Sequence, residues 1–235
     1  MQGFWDSSTG SPYSARYGDE IEREFDPRCS RLYRNVPRDQ LVVYNPSKGV
    51  SQLQLRHPRT GNIELDELTV VVSIDGACRG NGTPSARASW GVYFGPGSPY
   101  NECGVLDSTL PHTSTRAEIE ALRQLLRIIQ QELAWNVLLK NYYIRTDSDS
   151  LMRAMAELME GWTADGGRNA RGQPVRHYQV LKEIHDRIDD MTYGDEGGME
   201  FKFWHVPREQ NREADALANA ALDGFPSYYM SRYYR

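Results

Sequence analysis

The feature that most constrains the fold is a run dominated by β-branched residues, Thr69–Ile74, with the sequence Thr-Val-Val-Val-Ser-Ile. A half-exposed strand alternates apolar and polar side chains. This run does not, which is typical of a strand buried on both faces. Such a strand needs covering elements on both sides of its sheet, so the elements that follow it along the chain decide the fold.

Strand and helix patterns alternate along the rest of the chain. Further strands are predicted over Ala88–Phe94, Glu102–Leu106, Tyr142–Thr146 and Met199–Val206. Helices are predicted over Thr115–Leu133, Ser148–Met159, Tyr178–Met191 and Asn211–Leu222, the last with Asn211 as its N-cap. Three strands in succession, and then strands that alternate with helices, predict an α/β fold. We expect a mixed five-stranded sheet, with three antiparallel and then two parallel strands, covered by helices.

The beginning of the chain has a different composition. It is rich in Ser, Gly and charged side chains and shows no period, so residues 1–67 are expected to form an N-terminal extension that is partly irregular or disordered. Two short strands, over Leu41–Tyr44 and Gln52–Leu55, are expected within it. Residues 68–224 are expected to form the main domain, and residues 225–235 an aromatic and basic tail.

Composition excludes several classes of protein. No stretch reaches the roughly 18 to 20 apolar residues that span a bilayer, and the first residues lack the apolar run of a secretory signal. We expect an intracellular protein of the nucleus or cytoplasm, with mitochondrial import left open, no membrane partner and a monomeric state. The three cysteines, at unpatterned spacing, indicate neither a disulfide framework nor a zinc site.

Four carboxylates fall at junctions between the predicted elements. Asp75 follows the first strand, Asp147 follows the fourth, and Glu118 and Asp215 lie in the first turns of two helices. Ligand sites of open α/β sheets gather at strand ends, so these side chains are expected to converge. Each also has a plain structural explanation. An acid after a strand often forms a turn, and an acid in a first helical turn favours the helix dipole.

A cation explains the four carboxylates together. Clustered carboxylates raise one another's pKa and destabilise the ionised site. Hard divalent cations with oxygen ligands relieve this repulsion, and no His or Cys spacing competes for zinc. The net charge of −5 argues against a general nucleic-acid coat. From Thr69 onward, however, 22 acids face 18 bases, a difference that two divalent cations would cancel.

These residues resemble the type 1 ribonuclease H family. The resemblance covers about residues 68–224 and is carried by four segments in the family's order. The segments are Asp75–Gly82 (Asp-Gly-Ala-Cys-Arg-Gly-Asn-Gly), Thr113–Glu118 (Thr-Ser-Thr-Arg-Ala-Glu), Thr146–Ser148 (Thr-Asp-Ser) and Asn211–Asp215 (Asn-Arg-Glu-Ala-Asp). The resemblance implies a ribonuclease H-like fold. It also implies that the catalytic, metal-binding carboxylates are Asp75, Glu118, Asp147 and Asp215.

The activity that the resemblance implies is endonucleolytic hydrolysis of the RNA strand of an RNA–DNA hybrid, leaving 5′-phosphate and 3′-hydroxyl ends. The implied cofactor is Mg²⁺, two ions per site, with Mn²⁺ able to substitute, and no organic cofactor is expected. Two such ions about 3.5–4 Å apart serve in-line phosphoryl displacement.

The resemblance also implies contacts with the hybrid. The turn Cys78–Gly82 is expected in the minor groove, where 2′-hydroxyls distinguish RNA from DNA. A loop is predicted over Gly161–Val175. By the resemblance, this loop with Trp162, and Arg176 and His177 after it, are expected near DNA-strand phosphates. The alternative for Cys78 and Trp162 is a core role, for Asn81 a left-handed turn, and for the arginines a solvated loop. The predicted contact residues are Gly76, Cys78, Arg79, Asn81, Thr115, Arg116, Trp162, Arg176 and Asn211.

One feature departs from the family's pattern. Many members carry a mobile histidine in the loop before the last helix, but this loop is short here. His205 is expected to be a half-buried strand residue, with Arg208 or Glu209 near the histidine's place. We expect cleavage to persist, because the metals do the main chemistry.

Two other functions stay open. The fold can serve as a non-catalytic module that binds nucleic acid or protein, although such a module has no reason to keep four mutually repelling acids. An exonuclease or transposase-like member of the wider superfamily would keep the carboxylates. The Asp75–Cys78 and Thr113–Glu118 segments favour the ribonuclease branch over that class.

Overall fold

The computed structural model describes residues 22–134, 136, 138–194 and 198–224. The first 21 residues of the predicted extension and the predicted tail over 225–235 lie outside the described residues. Within the described ranges, no helix combines the length and the apolarity that crossing a bilayer requires.

The described chain forms one mixed sheet with helices packed on it. Its strands are β1 (Val42–Asn45), β2 (Val50–Arg56), β3 (Ile63–Leu65), β4 (Thr69–Arg79), β5 (Arg87–Tyr93), β6 (Glu102–Val105), β7 (Asn141–Thr146) and β8 (Glu200–His205). Its α-helices are α1 (Ser114–Ile128), α2 (Asp149–Arg153), α3 (Met159–Ala164), α4 (Tyr178–Tyr193) and α5 (Arg212–Leu222). Shorter helical pieces are the π-helical turns Ile129–Leu133 and Ala154–Leu158 and the 3₁₀ turn Arg208–Gln210.

The predicted five-stranded arrangement is confirmed. β4 pairs antiparallel with β5, and β5 pairs antiparallel with β6. β7 runs parallel to β4, and β8 runs parallel to β7. The two strands expected in the extension are also present, as β1 and β2. A further short strand, β3, was not predicted and pairs with β2.

β4 is longer than predicted, which changes the place of Asp75. The strand continues through Asp75 to Arg79 because β5 pairs with it that far. The parallel partner β7 pairs only with Thr69–Ser73. The prediction that Asp75 follows the strand is therefore wrong. Asp75 nevertheless lies two residues beyond the end of the parallel ladder between β4 and β7. The carboxyl end of β7 therefore lies beside Asp75.

Helix α1 starts one residue earlier than predicted. Thr113 is its N-cap, and the Thr113 side-chain oxygen accepts a hydrogen bond from the Arg116 N–H. Glu118 is therefore in the second turn, and its predicted place in the first turn is wrong. Because the dipole acts within the first turn, it no longer explains an acid at Glu118.

The helical segment after β7 is also longer than predicted. α2 leads through the π-helical turn Ala154–Leu158 into α3, because buried side chains such as Met155 and Met159 continue its apolar face. Gly161 and Trp162 therefore lie on a helix, and their predicted place in a loop is wrong. Trp162 is half-buried against the main core.

Alternate residues of β4 face opposite sides of the sheet. Val70, Val72 and Ile74 are fully buried in the main core, which α1 covers. Val71 faces the other side, and Asp75 points to that side as well because the two are four residues apart. The residues of β4 from Thr69 to Asp75 are all buried, which confirms the prediction of a strand buried on both faces.

The extension covers the second face of the sheet. Five of its residues form a smaller core with Val71 and Tyr143, namely Phe25, Tyr33, Val36, Leu41 and Leu53. Its first described segment also pairs with the outer edge of β8. The Phe25 N–H donates to the Phe203 carbonyl over 2.8 Å, and the Phe203 N–H donates to the Arg23 carbonyl over 2.7 Å. This pairing satisfies backbone groups that an edge strand leaves open.

Helix α5 packs closely on β5 at Gly91. A Cβ at Gly91 would lie 2.6 Å from the Ala214 carbonyl oxygen and 2.7 Å from the Ala218 nitrogen. The absence of a side chain therefore lets α5 lie directly on the strand. This contact sets the position of Asp215 relative to the sheet.

We expect Gly91→Ala to lower the free energy of unfolding by about 1–3 kcal/mol, because the added methyl group overpacks this contact. The control is Gly161→Ala on α3, where an added Cβ meets nothing within 4 Å. That change should stabilise the helix by about 0.5–1 kcal/mol. Urea denaturation of the two variants measures both effects, and wild-type stability in Gly91→Ala would contradict the close packing.

Candidate active site

Gly76 lets helix α1 approach β4 next to Asp75. A Cβ on Gly76 would lie 2.3 Å from the Glu118 nitrogen and 2.5 Å from the Ala117 carbonyl carbon. A larger residue would push the helix away. The Gly76 N–H also donates to Asp75 Oδ1 over 2.8 Å. One glycine therefore both brings Glu118 to the strand and orients the Asp75 carboxylate.

Asn211 connects the third carboxylate to the sheet. Asp147 directly follows β7, as predicted. The buried Asn211 side chain donates from Nδ2 to Asp147 Oδ1 and to the Ile74 carbonyl, both over 3.0 Å. Asn211 is the N-cap residue of α5, as predicted, and its carbonyl accepts from the Asp215 N–H. Its side chain makes no capping hydrogen bond, because the amide binds Asp147 and β4 instead.

Three carboxylates meet at this edge of the sheet. One oxygen each from Asp75, Glu118 and Asp147 lies within 4.8 Å of the others. Burial, followed by the charges of Asp147 and Asp215, raises the pKa of Asp75 to about 7. Burial, followed by the charges of Asp75 and Asp147, raises the pKa of Glu118 well above its usual value. The ionised cluster is thus unstable without added positive charge.

Asp215 approaches the cluster from α5. It is close enough to Asp75 to raise the pKa of that carboxyl, although it is not among the three residues whose oxygens lie within 4.8 Å. Arg208, on the 3₁₀ turn, donates from Nη2 to Asp215 Oδ1 over 3.0 Å. Asp215, and then Asp147 and Asp75, raise the pKa of Arg208. The Arg208 guanidinium therefore lies beside the carboxylates. Arg208 is one of the two residues, with Glu209, expected near the place of the family's mobile histidine.

The donor set fits a hard divalent cation. The three clustered side chains all offer carboxylate oxygens, and no His or Cys joins them in the described part of the chain. Glu118 Oε2 is buried and has no hydrogen-bond partner among the described residues. A buried acceptor without a partner costs about 1–3 kcal/mol, which a bound cation would relieve.

The glycine-rich turn at the end of β4 is held by α1 and α5. Asn81 donates from Nδ2 to the Ser114 hydroxyl over 2.9 Å. Cys78 is half-buried against the main core, with Sγ 3.6 Å from the His112 carbonyl oxygen. Arg79 forms an ion pair of 2.6 Å with Asp223. Of these predicted contact residues, Asn81 is exposed beside the start of α1, whereas Arg79 already has an anionic partner.

The other predicted contact residues differ in exposure. Thr115 is exposed in the first turn of α1, and Arg176 is exposed before α4. Trp162 packs partly into the core. His205 is the last residue of β8 and is exposed, so its expected place on the strand is confirmed and its expected half-burial is wrong.

Arg116 and His177 are neighbours with unused nitrogens. Arg116 is buried and pairs with Glu120 over 3.3 Å, but its Nε has no partner, and neither has the buried Nε2 of His177. Burial, followed by the charges of Arg176 and Arg116, lowers the pKa of His177.

The backbone at His177 is strained. Among the described residues it is the only non-glycine residue with positive φ, at 63°. Such strain costs about 1–3 kcal/mol and often accompanies a functional site. No pattern in the sequence signals it, because the conformation is imposed by the loop that leads into α4.

We expect the carboxylate repulsion to be measurable as a loss of stability. In chelator at about pH 8, Asp75→Asn should raise the free energy of unfolding by about 1–2 kcal/mol, because it removes one charge from the buried cluster. Mg²⁺ should stabilise the wild type more than the variant. Thermal unfolding with and without Mg²⁺ measures this. Glu64→Gln, at an exposed position on β3, is the control and should behave as wild type. A variant less stable than wild type in chelator would contradict the argument.

Comparison with known proteins places the chain in a family. The family model described as RNase H matches residues 67–223, which is more than half of the chain. Ribonuclease H of Paracidovorax citrulli (strain AAC00-1) is 31% identical over 156 residues, which cover 66% of this chain and 94% of that protein. Ribonuclease H1 of Mus musculus is 34% identical over 156 residues, which cover 64% of this chain and 49% of the mouse protein. The chain thus spans about half the length of this mammalian relative.

A solved structure agrees on the fold. A foamy viral protease-reverse transcriptase, solved in complex with RNA/DNA hybrid, matches with a TM-score of 0.50 and 20% identity. The match covers 68% of this chain and 20% of the viral chain. The family model and the Paracidovorax citrulli relative confirm the resemblance drawn from the sequence segments: the chain belongs to the ribonuclease H family.

Proposed function

We propose that this protein is an endoribonuclease that hydrolyses the RNA strand of RNA–DNA hybrids and leaves 5′-phosphate and 3′-hydroxyl ends. The observation that carries the proposal is the meeting of Asp75, Glu118 and Asp147, from three separate elements, with oxygens within 4.8 Å of one another. Membership of the ribonuclease H family supports the reaction class and the substrate class.

Asp75, Glu118, Asp147 and Asp215 would hold two Mg²⁺ ions, which Mn²⁺ can replace. The oxygen-only donor set and the unpartnered Glu118 Oε2 support this assignment. When bound, the ions supply the charge stabilisation and the activation of water that in-line phosphodiester hydrolysis requires. The raised pKa values of Asp75 and Glu118 belong to the metal-free site. A neighbouring cation favours the ionised carboxylate and reverses that shift.

Asn211 and Gly76 act as positioning residues for these carboxylates. The Asn211 amide holds one oxygen of Asp147, and its second hydrogen bond, to the Ile74 carbonyl, fixes the amide on β4. The Gly76 N–H holds one oxygen of Asp75. In each carboxylate the second oxygen is then available to a ligand, and the direction of the carboxylate is set before the ligand arrives.

Arg116 and His177 form an anion-binding position for the substrate backbone. One nitrogen of each is buried without a partner, and His177 is close enough to Arg116 for the Arg116 charge to lower its pKa. Arg176 adds an exposed positive charge next to His177 in the chain. Arg116 lies on the same helix as Glu118, which supports a position near the carboxylates. Phosphate oxygens would satisfy the unused nitrogens. Contacts of this kind hold a nucleic acid in register without reading its sequence.

Asn81 and Ser114 are suited to a shallow groove. Their side chains are joined by the 2.9 Å hydrogen bond at the tip of the glycine-rich turn. Each retains further hydrogen-bonding capacity for a sugar hydroxyl. A hybrid presents 2′-hydroxyls on its RNA strand only, in a wide minor groove. This geometry supports choice of the RNA strand for cleavage.

We expect purified protein with Mg²⁺ to cut a labelled RNA–DNA hybrid internally, within its RNA strand, and to leave RNA duplex, DNA duplex and single strands intact. Asp75→Asn and Asp147→Asn should each reduce the rate by at least about a thousandfold, because each removes a charged ligand from the cations that stabilise the transition state. Gel analysis of cleavage measures this, with Glu64→Gln as the control of unchanged rate.

Other outcomes of this assay favour the competing functions. Tight hybrid binding without cleavage by the wild type would identify a non-catalytic module. Cleavage from strand ends, or of DNA, would identify another branch of the superfamily. Circular dichroism of each variant shows whether a lost rate reflects lost folding.

We expect His177→Gly to raise KM for the hybrid about fivefold with little change in kcat, because a lost hydrogen bond to phosphate is worth about 1 kcal/mol. The same change should raise the unfolding free energy, since glycine adopts positive φ without strain. His177→Asn keeps a donor in a residue that tolerates this conformation, so its KM should stay near wild type. Equal KM values in His177→Gly and wild type would contradict the anion-binding role.

A further inference from the structure

Positive charge is concentrated in one part of this acidic chain. Residues 27–63 contain seven Arg or Lys and one acid, Asp39, although the whole chain has a net charge of −5. This segment therefore has a net charge of +6, and the rest of the chain −11. Two of these basic residues, Arg28 and Lys48, pair with acids just outside the segment. The excess positive charge therefore lies on the arginines that have no such partner.

Four of these basic residues form what we call the basic cluster: Arg31, Arg34, Arg38 and Arg59. All four are exposed. Within the described residues, none of the four guanidinium groups has a hydrogen bond or an ion pair. By contrast, Arg28 pairs with Asp26, and Lys48 pairs with Glu67. The basic cluster thus carries four charges that no carboxylate of the described ranges pairs with.

The cluster rests on a rigid base. Tyr33 and Val36 alternate with the arginines along the chain and are buried in the smaller core against the sheet, so the arginines point away from it. Arg56 then joins the two loops that carry the cluster. Its guanidinium donates to the Asn35 carbonyl over 3.1 Å and to the Gly61 carbonyl over 2.6 Å. Arg31 and Arg34 are therefore held near the loop that carries Arg59.

The cluster lies on the same side of the sheet as the carboxylates. Val71 of β4 packs against the extension, and Asp75 points to the same side four residues later, about 13 Å along the strand at 3.3 Å per residue. A groove of about 920 Å³ is lined by Arg38 of the basic cluster and also by Asp149, which lies two residues after Asp147 in the chain. Seven acids, Glu209 and Glu213 among them, line the groove against four arginines. These acids repel phosphate, so an anionic polymer would cross the groove and contact the arginines beyond it.

The chemistry of the cluster favours nucleic acid over protein. Protein interfaces are centred on aromatic or aliphatic side chains, whereas the exposed residues around these arginines are polar or proline, such as Asn35, Pro37, Pro58 and Thr60. The exposed large apolar residues of the described chain do not include any of these four polar or proline residues. Unpaired guanidinium groups without an apolar centre suit the phosphate backbone of a duplex.

We propose that the basic cluster is a second nucleic-acid-binding surface, which holds the phosphate backbone of a duplex whose scissile strand lies at the carboxylates. The choice of ligand rests on the proposed function, because the neighbouring site would take a duplex. The cluster offsets the negative charge of the main domain. None of its residues belongs to the carboxylate cluster, so the contribution we assign to it is to affinity.

The test compares two hybrids of about 8 and about 20 base pairs, roughly 27 and 68 Å long at 3.4 Å per pair. The protein is the full chain carrying Asp75→Asn, so that the RNA is not cut, and binding is followed by fluorescence anisotropy over a range of salt concentrations. The test variant adds Arg31→Ser, Arg34→Ser and Arg59→Ser. The matched control adds Arg123→Ser, Lys182→Ser and Arg187→Ser, which removes the same charge from helices α1 and α4.

For the long hybrid, the test variant should bind at least about tenfold more weakly at low salt. The slope of log affinity against log salt should become shallower by about 2–3, since each lost phosphate contact contributes about 0.9. The short hybrid, which offers fewer phosphates beyond the carboxylates, should lose less affinity in the test variant than the long hybrid does. The control variant should retain the slope of its Asp75→Asn parent with either hybrid.

Two results would overturn the proposal. An unchanged affinity of the test variant for the long hybrid would show that the arginines have no role in nucleic-acid binding and would favour an acidic protein partner instead. An equal loss in test and control variants would show a general effect of net charge. Binding does not depend on cleavage. A wild type that fails to cut the hybrid, together with a selective loss in the test variant, would therefore refute the proposed function and retain the second surface.

Discussion

Repulsion among buried carboxylates is the constraint on which the rest of this structure depends. Asp75 and Glu118 are held in surroundings that raise the pKa of each, because burial and neighbouring acids disfavour their charged forms. A fold tolerates such a group of charges only if backbone contacts hold it together or a cation neutralises it. This structure has hydrogen bonds that hold the carboxylates and a positive side chain beside them. Gly76 and Asn211 fix the carboxylates through hydrogen bonds, and Arg208 contributes positive charge beside Asp215.

The sheet brings these acids together because β4 has two kinds of partner. Its first half pairs with the parallel strand β7, and its second half pairs with the antiparallel strand β5. Asp75 lies where one partner gives way to the other, so the end of β7 delivers Asp147 to the same place. Two glycines then let the helices pack closely on the strands. The absence of a side chain at Gly76 leaves room for α1, and its absence at Gly91 leaves room for α5. The absence of two side chains thus does as much to form the cluster as the acids themselves.

The sequence was sufficient for those parts of the fold that depend on local pattern. The five strands and the principal helices follow from apolar period and turn residues. The convergence of Asp75, Glu118 and Asp147 is as predicted, although β4 runs past Asp75 and Glu118 lies in the second turn of its helix. Features that depend on tertiary partners could not be predicted. β4 extends past Asp75 because of β5, the Asn211 amide is drawn to Asp147 rather than to a helix end, and His177 adopts a strained conformation within its loop.

The proposed second surface would explain how an acidic chain of this fold engages a polyanion. The carboxylates cannot be given up if the cations are to bind, so positive charge for substrate affinity has to be placed elsewhere. In this proposal the positive charge lies on the extension. Buried side chains of the extension, among them Tyr33 and Leu53, pack with Tyr143 in a second core against the sheet. Because Arg23 of the same segment also contacts Asp189 on α4, the extension is fixed to both the sheet and a helix. Charges carried on such a base lose little entropy on binding, which makes each phosphate contact more effective than it would be on an unstructured arm.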